Sequence, residues 1–432
     1  LAPIVGGGGG GRPDFAEAYG NRGNALRELG RHSEALDACN RAIALKPDYS
    51  EGYNNHGNTL IELNRPADAL ADYDRALEAV PDNVYAWVNR GNALRYLDRA
   101  DEAIESFDRA IALAPDLAEA HWNKGLLCLS IGDFAAGWVG YEWRWRRDGE
   151  LQPRAFTQPQ WHGETLAGKT ILLHAEQGFG DSIQFIRYLP LVAEKGGRII
   201  LEIPDGLVPL VGNAANIHGL YRRGDKLPHF DIHCPLLSLP LAFGTTLDTI
   251  PASVPYLDAP AERARTWRKR LADIDRPRVG LVWSGKPRHK HDHNRSITLS
   301  RLKPVLSTGG VGFVSLQQEY RDSDLAALDR LPIRRFDKLL TDFADTAAVI
   351  GELDLVIAVD TAVAHLAGAM AKPLWLLVPH IQDWRWLRGR NDSPWYPTAR
   401  LFRQPQIGDW DGAIAAMAKE LAELKACVTL AK

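Results

Sequence analysis

The most constraining feature of this chain is a period. Gly23, Gly57, Gly91 and Gly125 stand 34 residues apart, and Pro47, Pro81 and Pro115 keep the same spacing. Ala35, Ala69 and Ala103 share a second register, and Ala42, Ala76 and Ala110 a third. Tyr19, Tyr53 and Trp87 are in phase, as are Tyr73, Phe107 and Tyr141. A repeat of this length is one supersecondary unit that cannot bury its apolar face alone, so successive copies must stack. The first third of the chain therefore folds as an array in which each copy touches its neighbours. The remainder of the 432 residues lacks the period and needs another architecture.

These residues resemble the tetratricopeptide repeat, a pair of antiparallel helices. In that pattern the Gly and Ala positions let the two helices approach, the aromatics fill the gaps, and Pro ends each unit. The resemblance spans 14–147. The fourth copy departs from it, with Gly137 at the first packing Ala and Arg144 at the second, so a modified last helix is expected over 138–147. Asn21, Asn55, Asn89 and Asn123 occupy one repeat position. Asn24, Asn58 and Asn92 occupy another, three residues on and hence on the same helix face. Asn is a poor helix former, so helix stability does not account for such a ladder. A carboxamide both donates and accepts, which matches a peptide unit. The ladder resembles the one lining the repeat superhelix of O-GlcNAc transferase, which holds extended protein substrates. It implies a protein or peptide acceptor on the concave repeat surface. The alternative is a solvated polar face with hydrogen bonds between repeats.

Composition narrows the function classes. With 45% hydrophobic and 24% charged residues, the chain can bury sizeable cores and stay in solution. A formal net charge of -3 argues against general nucleic-acid or membrane-surface binding. Cys39, Cys128, Cys234 and Cys427 are scattered without a Cys-x-x-Cys pair, which points to a reducing, cytoplasmic setting and to no zinc site. No apolar run reaches the length of a membrane span. Residues 1–13, with a glycine run, read as a linker segment without the three-part layout of a signal peptide.

Residues 148–168 read as an irregular linker carrying Pro153, Pro159, Trp161 and Gly163. From Lys169 apolar strands alternate with helices, the rhythm of βα units on a parallel sheet. Strands are expected over 170–175, 198–203, 278–283, 311–316, 353–359 and 374–378, and helices over 182–194 and 261–273. The segment 251–260 reads as a crossover between two halves, 169–258 and 259–432. Residues 353–369 are the sharpest stretch. An apolar run rich in β-branched residues reads as a strand buried on both faces. It turns at Asp360-Thr361, either of which can cap the Ala-rich helix that follows. A helix start at the carboxyl end of a parallel strand is where open α/β sheets bind ligands, and its free N–H groups favour a phosphate. Ala362, Ala364 and Gly368 permit close approach, and His365 in the first turn can donate to a phosphate oxygen.

Two doubly wound halves joined by a linker resemble the GT-B fold. The motifs resemble those of the heptosyltransferase-like glycosyltransferases (family 9), in the subset fused to tetratricopeptide repeats. The matching stretches are 176–188, Trp283-Ser284-Gly285 with Arg295-Ser296-Ile297, Asp345-Thr346-Ala347, 359–365, Asp383-Trp384-Arg385-Trp386 and 393–397. The resemblance implies an N-terminal α-solenoid followed by two Rossmann-like α/β domains, acceptor side first and donor side second. It implies inverting, metal-independent transfer from a nucleotide-sugar, with no cofactor, to a protein acceptor such as flagellin. Asp181 takes the place of the general base, although a helix cap is an equally good use of it. Gly178, Gly180 and Gln184 fall on the same acceptor side. Trp283, Ser284, Gly285, Lys286, Arg295, Asp360, Thr361, Ala362 and His365 fall on the donor side. Of the cations in the loop after Trp283 (Lys286, Arg288, Lys290 and Arg295), Arg295 with Ser296 fits the family pattern best for the diphosphate. Asp360, an anion beside an anion site, caps the helix or accepts a sugar or ribose hydroxyl. Trp384 and Trp386 either stack on a ring of the donor or pack against the last helices. His289, His291 and His293 alternate in a loop, which is not metal-ligand spacing of any strength. Two other readings stay open. One is a transferase for lipid or polysaccharide acceptors; the other is a non-catalytic repeat scaffold with an inactive transferase domain.

Overall fold

The computed structural model describes residues 12–147, 149, 151–212, 216–286 and 292–430. The chain divides into two compact units, Leu1–Gln152 and Pro153–Lys432.

The first unit is four helix pairs: α1 (Arg12–Glu28) with α2 (His32–Leu45), α3 (Ser50–Glu62) with α4 (Pro66–Ala79), α5 (Val84–Tyr96) with α6 (Ala100–Leu113), and α7 (Ala118–Ile131) with α8 (Phe134–Tyr141). The repeat glycines explain the pairing. A Cβ on Gly57 would stand 2.7 Å from the Tyr73 ring, and one on Gly91 2.6 Å from the Phe107 ring. In these two pairs the aromatic of the second helix thus rests on the bare backbone of the first, while in the first pair Cys39 Sγ takes that place, 2.4 Å from a Cβ on Gly23. Ala69, Ala76, Ala103 and Ala110 are fully buried in the same seams. In the fourth pair no ring intervenes: a Cβ on Gly125 would stand 2.7 Å from the Gly140 carbonyl carbon. The last helix is shorter than expected, ending at Tyr141 and passing into a 3-10 turn over Glu142–Arg146. Arg144 is buried there, donating to the Tyr141 carbonyl at 3.2 Å and to Glu142 Oε1 at 2.6 Å. A buried charge persists only when paired in this way.

The second unit holds two parallel sheets. The first contains β1 (Thr170–His174), β2 (Arg198–Ile203), β3 (Ile217–Arg222) and β4 (Ile232–Pro235) in the order β3-β2-β1-β4. The second contains β5 (Arg278–Val282), β6 (Gly312–Ser315), β7 (Ile333–Arg334), β8 (Leu355–Val359), β9 (Leu374–Val378) and β10 (Ala399–Arg403) in the order β10-β9-β8-β5-β6-β7. β5, β8 and β9 are buried along their whole length, as unbroken apolar strands covered on both faces should be. The direction in which strands are added reverses between β1 and β4 and again between β5 and β8. Ligands collect at the carboxyl ends of strands at such switch points. The segment 153–168 is part of this unit: Trp161 is fully buried, Gln160 bridges to His233 of β4, and Phe156 packs on His174 and His233.

Three helices of this unit matter below: α9 (Phe179–Phe185), α10 (Ala362–Ala369) and α11 (Asp411–Leu430). α11 covers the second sheet, with Ile414, Met417 and Leu421 in one core cluster with Leu281, Ile357 and Leu377. The helix expected over 182–194 starts earlier and is broken. Gly180 and Asp181 lie in the first turn of α9, and a 3-10 turn over Ile186–Tyr188 separates it from a helix over Leu189–Glu194. Pro190 accounts for the break, because proline fits the first turn of a helix and not its interior. Among the described residues no helix is long and apolar enough to cross a membrane.

Candidate functional site

A cavity of about 640 Å³ lies at the carboxyl ends of β1, β5 and β8. The β8 side is built first by the chain's own geometry. Thr361 is extended (φ -147°, ψ 167°) and makes no side-chain cap for α10. Its Oγ1 is enclosed and, among the described residues, without a hydrogen-bond partner. The capping expected of Asp360 or Thr361 is therefore not made; the Ala364 and His365 N–H groups donate to the Thr361 carbonyl, and those of Ala362 and Val363 are left for another partner. Arg295 ties this turn to the β5 loop by donating from Nη1 to the Asp360 carbonyl at 2.9 Å. Gly285 donates to Ser296 Oγ at 2.9 Å, and Ser296 donates to Asp292 at 2.9 Å. A Cβ on Gly285 would stand 2.5 Å from Asp292 Oδ1 and 2.7 Å from Arg295 Nη2, so the loop closes only around glycine. Ser284 is clasped by Gln317, which accepts from its N–H and donates to its carbonyl. Lys286 is exposed at the rim, 5.7 Å above the Phe179 ring.

His365 is buried in α10. Its Nδ1 shares a hydrogen bond with the Tyr396 hydroxyl at 2.9 Å, and its ring stacks on Trp386 at 5.4 Å. Gly368 makes this possible, since a Cβ there would collide with the Tyr396 ring at 2.3 Å. Burial holds the imidazole well below its ordinary pKa, and Arg385, Arg187 and Arg295 push the same way. His365 therefore acts as a neutral hydrogen-bonding ring. Its Nε2 stands 3.8 Å from Asp360 Oδ1. Burial, then Asp383, pushes the Asp360 carboxyl up to about 6, against the pull of Arg295 and Arg385.

The β1 side carries Gly178, Phe179, Gly180 and Asp181. Asp181 reaches back to accept from the Gly178 N–H at 2.9 Å, closing the start of α9. Its other oxygen accepts from Arg385 Nη2 at 2.5 Å. Arg385 Nε donates to Gln184 Oε1 at 2.6 Å, and Asp383 holds Nη1 at 3.0 and 3.1 Å. A Cβ on Gly180 would stand 2.8 Å from His365 Cδ2, so α9 and α10 touch at this glycine. A second buried arginine, Arg187, donates to the Trp395 carbonyl at 2.7 Å and to Tyr256 at 2.9 Å.

Most of the expected site residues line this one cavity: Gly178, Gly180, Asp181, Ser284, Gly285, Lys286, Arg295, Asp360, Thr361, Ala362 and His365. Two do not. Trp283 points into the core, where it is fully buried and its indole N–H donates to Asp324 at 2.8 Å. Gln184 is fully buried behind the cavity and meets it only through Arg385. Trp384 and Trp386 are packed in the interior and offer no open ring face to a ligand. Arg288, Lys290, His289 and His291, and the side chain of His293, lie outside the described residues. Arg385 and Asp383 also line the cavity, and no role attached to them from the sequence. The available signal was a lone arginine between two tryptophans in Asp383-Trp384-Arg385-Trp386.

In the first unit the asparagine ladder is partly engaged between repeats. Asn89 Nδ2 donates to Asn54 at 2.9 Å, and Asn55 Nδ2 to the Gly20 carbonyl at 3.4 Å. Asn58 accepts from the Tyr73 hydroxyl at 2.8 Å, and Asn24 accepts from Arg27 at 2.8 Å. Asn92 Oδ1 is enclosed without a partner among the described residues. Asn21 is exposed and Asn123 is buried. The helices that carry the ladder, α1, α3, α5 and α7, contact one another in turn.

The first unit is thus an array of tetratricopeptide repeats, and the second a mixed α/β region with parallel sheets. The tetratricopeptide repeat family matches residues 16–49, 54–118 and 89–137. A curated relative, Protein FlbA of Caulobacter vibrioides (strain ATCC 19089 / CIP 103742 / CB 15), is 28% identical over 329 residues, covering 70% of this chain and 55% of that protein. The chain spans about half the length of that relative, and 70% of the chain is more than the repeats alone occupy. Among solved structures, the Arabidopsis OM64 TPR domain is 27% identical, covering 27% of this chain and 97% of that one with a TM-score of 0.26. The crystal structure of MamA protein is 24% identical, covering 31% and 73% with a TM-score of 0.28.

Proposed function

We propose that this chain is a glycosyltransferase of the GT-B, heptosyltransferase-like kind, moving a sugar from a nucleotide-activated donor to a protein acceptor. One observation carries the reading: a single cavity receives the uncapped start of α10 with Arg295 from one sheet, and the Gly178–Asp181 turn from the other. The first supplies what a diphosphate needs, free N–H groups and a cation. The second supplies a carboxylate and bare backbone for an acceptor. In the reaction the acceptor oxygen bonds to the anomeric carbon as the carbon–phosphate oxygen bond breaks. The electron pair leaves on the phosphate, where the α10 start and Arg295 meet the growing charge. The acceptor's proton passes to Asp181. The repeats hold the protein acceptor, flagellin being the case suggested by the family resemblance, and raise its local concentration.

The test is release of free nucleotide by the purified chain from a panel of nucleotide-sugars, with and without protein acceptor. Turnover of at least one donor is expected. No donor turnover and no nucleotide binding would leave the scaffold reading in its place.

A further inference from the structure

Arg385 has two kinds of partner. Asp383, two residues before it, holds Nη1 from within the same loop. Asp181 and Gln184 hold Nη2 and Nε from α9, which follows the other sheet's first strand. The guanidinium lies 4.4 Å over the Trp384 ring, which fixes its plane. It lines the cavity together with Thr361, Ala362 and Val363, where the start of α10 is uncapped. While Arg385 stays on Asp181, each carboxylate oxygen already accepts a hydrogen bond, one from the Gly178 N–H and one from the guanidinium. An acceptor hydroxyl approaching Oδ1 has to compete with the guanidinium for it.

We propose that Arg385 is an exchangeable clamp: the donor's phosphate takes its guanidinium from Asp181, and that exchange frees Asp181 to receive the acceptor's proton. This rests on the sugar-transfer reading above. Asp383 makes the exchange cheap, because it compensates the buried guanidinium whichever partner Nη2 holds. The donor's diphosphate carries two negative charges against one on the carboxylate, and its oxygens suit the same planar fork of donors. With the donor in place, the acceptor O–H proton moves to Asp181 Oδ1 and the acceptor oxygen bonds to the anomeric carbon. The bond from that carbon to the phosphate oxygen breaks, and its electron pair stays on the phosphate that Arg385 now holds. The donor therefore enters first, and an empty cleft does not activate the acceptor.

The exchange makes a prediction of unusual sign. Asp181 and the donor compete for one guanidinium, so removing the carboxylate should improve nucleotide binding while abolishing transfer. The full chain is titrated calorimetrically with UDP, GDP, ADP, CDP and CMP, and the tightest is carried through the variants. Asp181→Asn should bind it about fivefold tighter or better, within the range of ordinary site–site coupling. Arg385→Gln should weaken it by about tenfold, and in the double variant the tightening should disappear. Asp181→Ser serves for the same comparison if the Asn variant does not fold. Unchanged or weaker binding in a folded Asp181 variant overturns the clamp. If the unaltered chain binds none of the five nucleotides, the sugar-transfer reading falls with it; binding without tightening removes the clamp alone.

Discussion

Asp360 is the residue whose chemistry the fold alters most visibly. A carboxyl ordinarily titrates near 4, and here burial and Asp383 push it up to about 6. The fold therefore favours the protonated form. Its contribution to stability is fully present below about 4, is lost as pH rises through about 6, and is flat above. Asp360→Asn should be more stable than the unaltered chain at pH 8, by about 3 kcal/mol for a shift of this size. The gap should narrow steadily as pH falls from 6 to 4. Urea denaturation across that range checks it, and parallel stability curves for the two proteins would refute it. The residue scale is also where sequence reasoning was most uneven. Asp360 to His365 were legible as a group because a strand–turn–helix brings its own neighbours together. Trp283 was misplaced, since an apolar strand reveals nothing about which face its last side chain takes. The role of Arg385 was invisible, because its partners Asp181 and Gln184 are 204 and 201 residues away in sequence.

At the scale of elements, the site depends on α9 and α10 touching. Gly180 permits this, and the ring it meets cannot retreat, being stacked on Trp386 and bonded to Tyr396. Gly180→Ala should therefore lower stability by about 1–3 kcal/mol, the usual cost of overpacking, and weaken nucleotide binding as well. Gly351→Ala is the control: nothing stands within 4 Å of a Cβ there, and it closes a helix over Phe343–Gly351. It should be neutral or slightly stabilising, alanine being the better helix former. Thermal melts of the two variants decide the matter, and equal melting temperatures would mean the two helices have slack between them. Fully buried apolar strands such as β5, β8 and β9 were legible as runs. β3, only partly buried along its length, had no clear pattern to read. The break after α9 had its signal in Pro190, yet periodicity alone ran straight through it.

At the scale of the whole molecule, the repeat period was the most legible feature, because many positions agree in phase. What the period cannot tell is how much of each asparagine is already used. An amide offers two donors and two acceptor positions. Asn55 and Asn89 each spend one donor on the preceding repeat, so the ladder both ties repeats together and keeps capacity for a bound backbone. Replacing Asn55, Asn89 and Asn123 together by Ala should impair glycosylation of a protein acceptor while leaving donor hydrolysis intact. The variant also loses inter-repeat bonds, at about 1 kcal/mol each, so a drop in stability has to be separated from a loss of recruitment. Asn54→Ala makes that separation, removing the partner of Asn89 while leaving the ladder positions in place. If Asn54→Ala slows protein glycosylation as much as the triple variant does, the ladder acts through repeat stability. If the triple variant modifies the acceptor at the normal rate, the asparagines serve the repeats alone and the acceptor is recognised elsewhere.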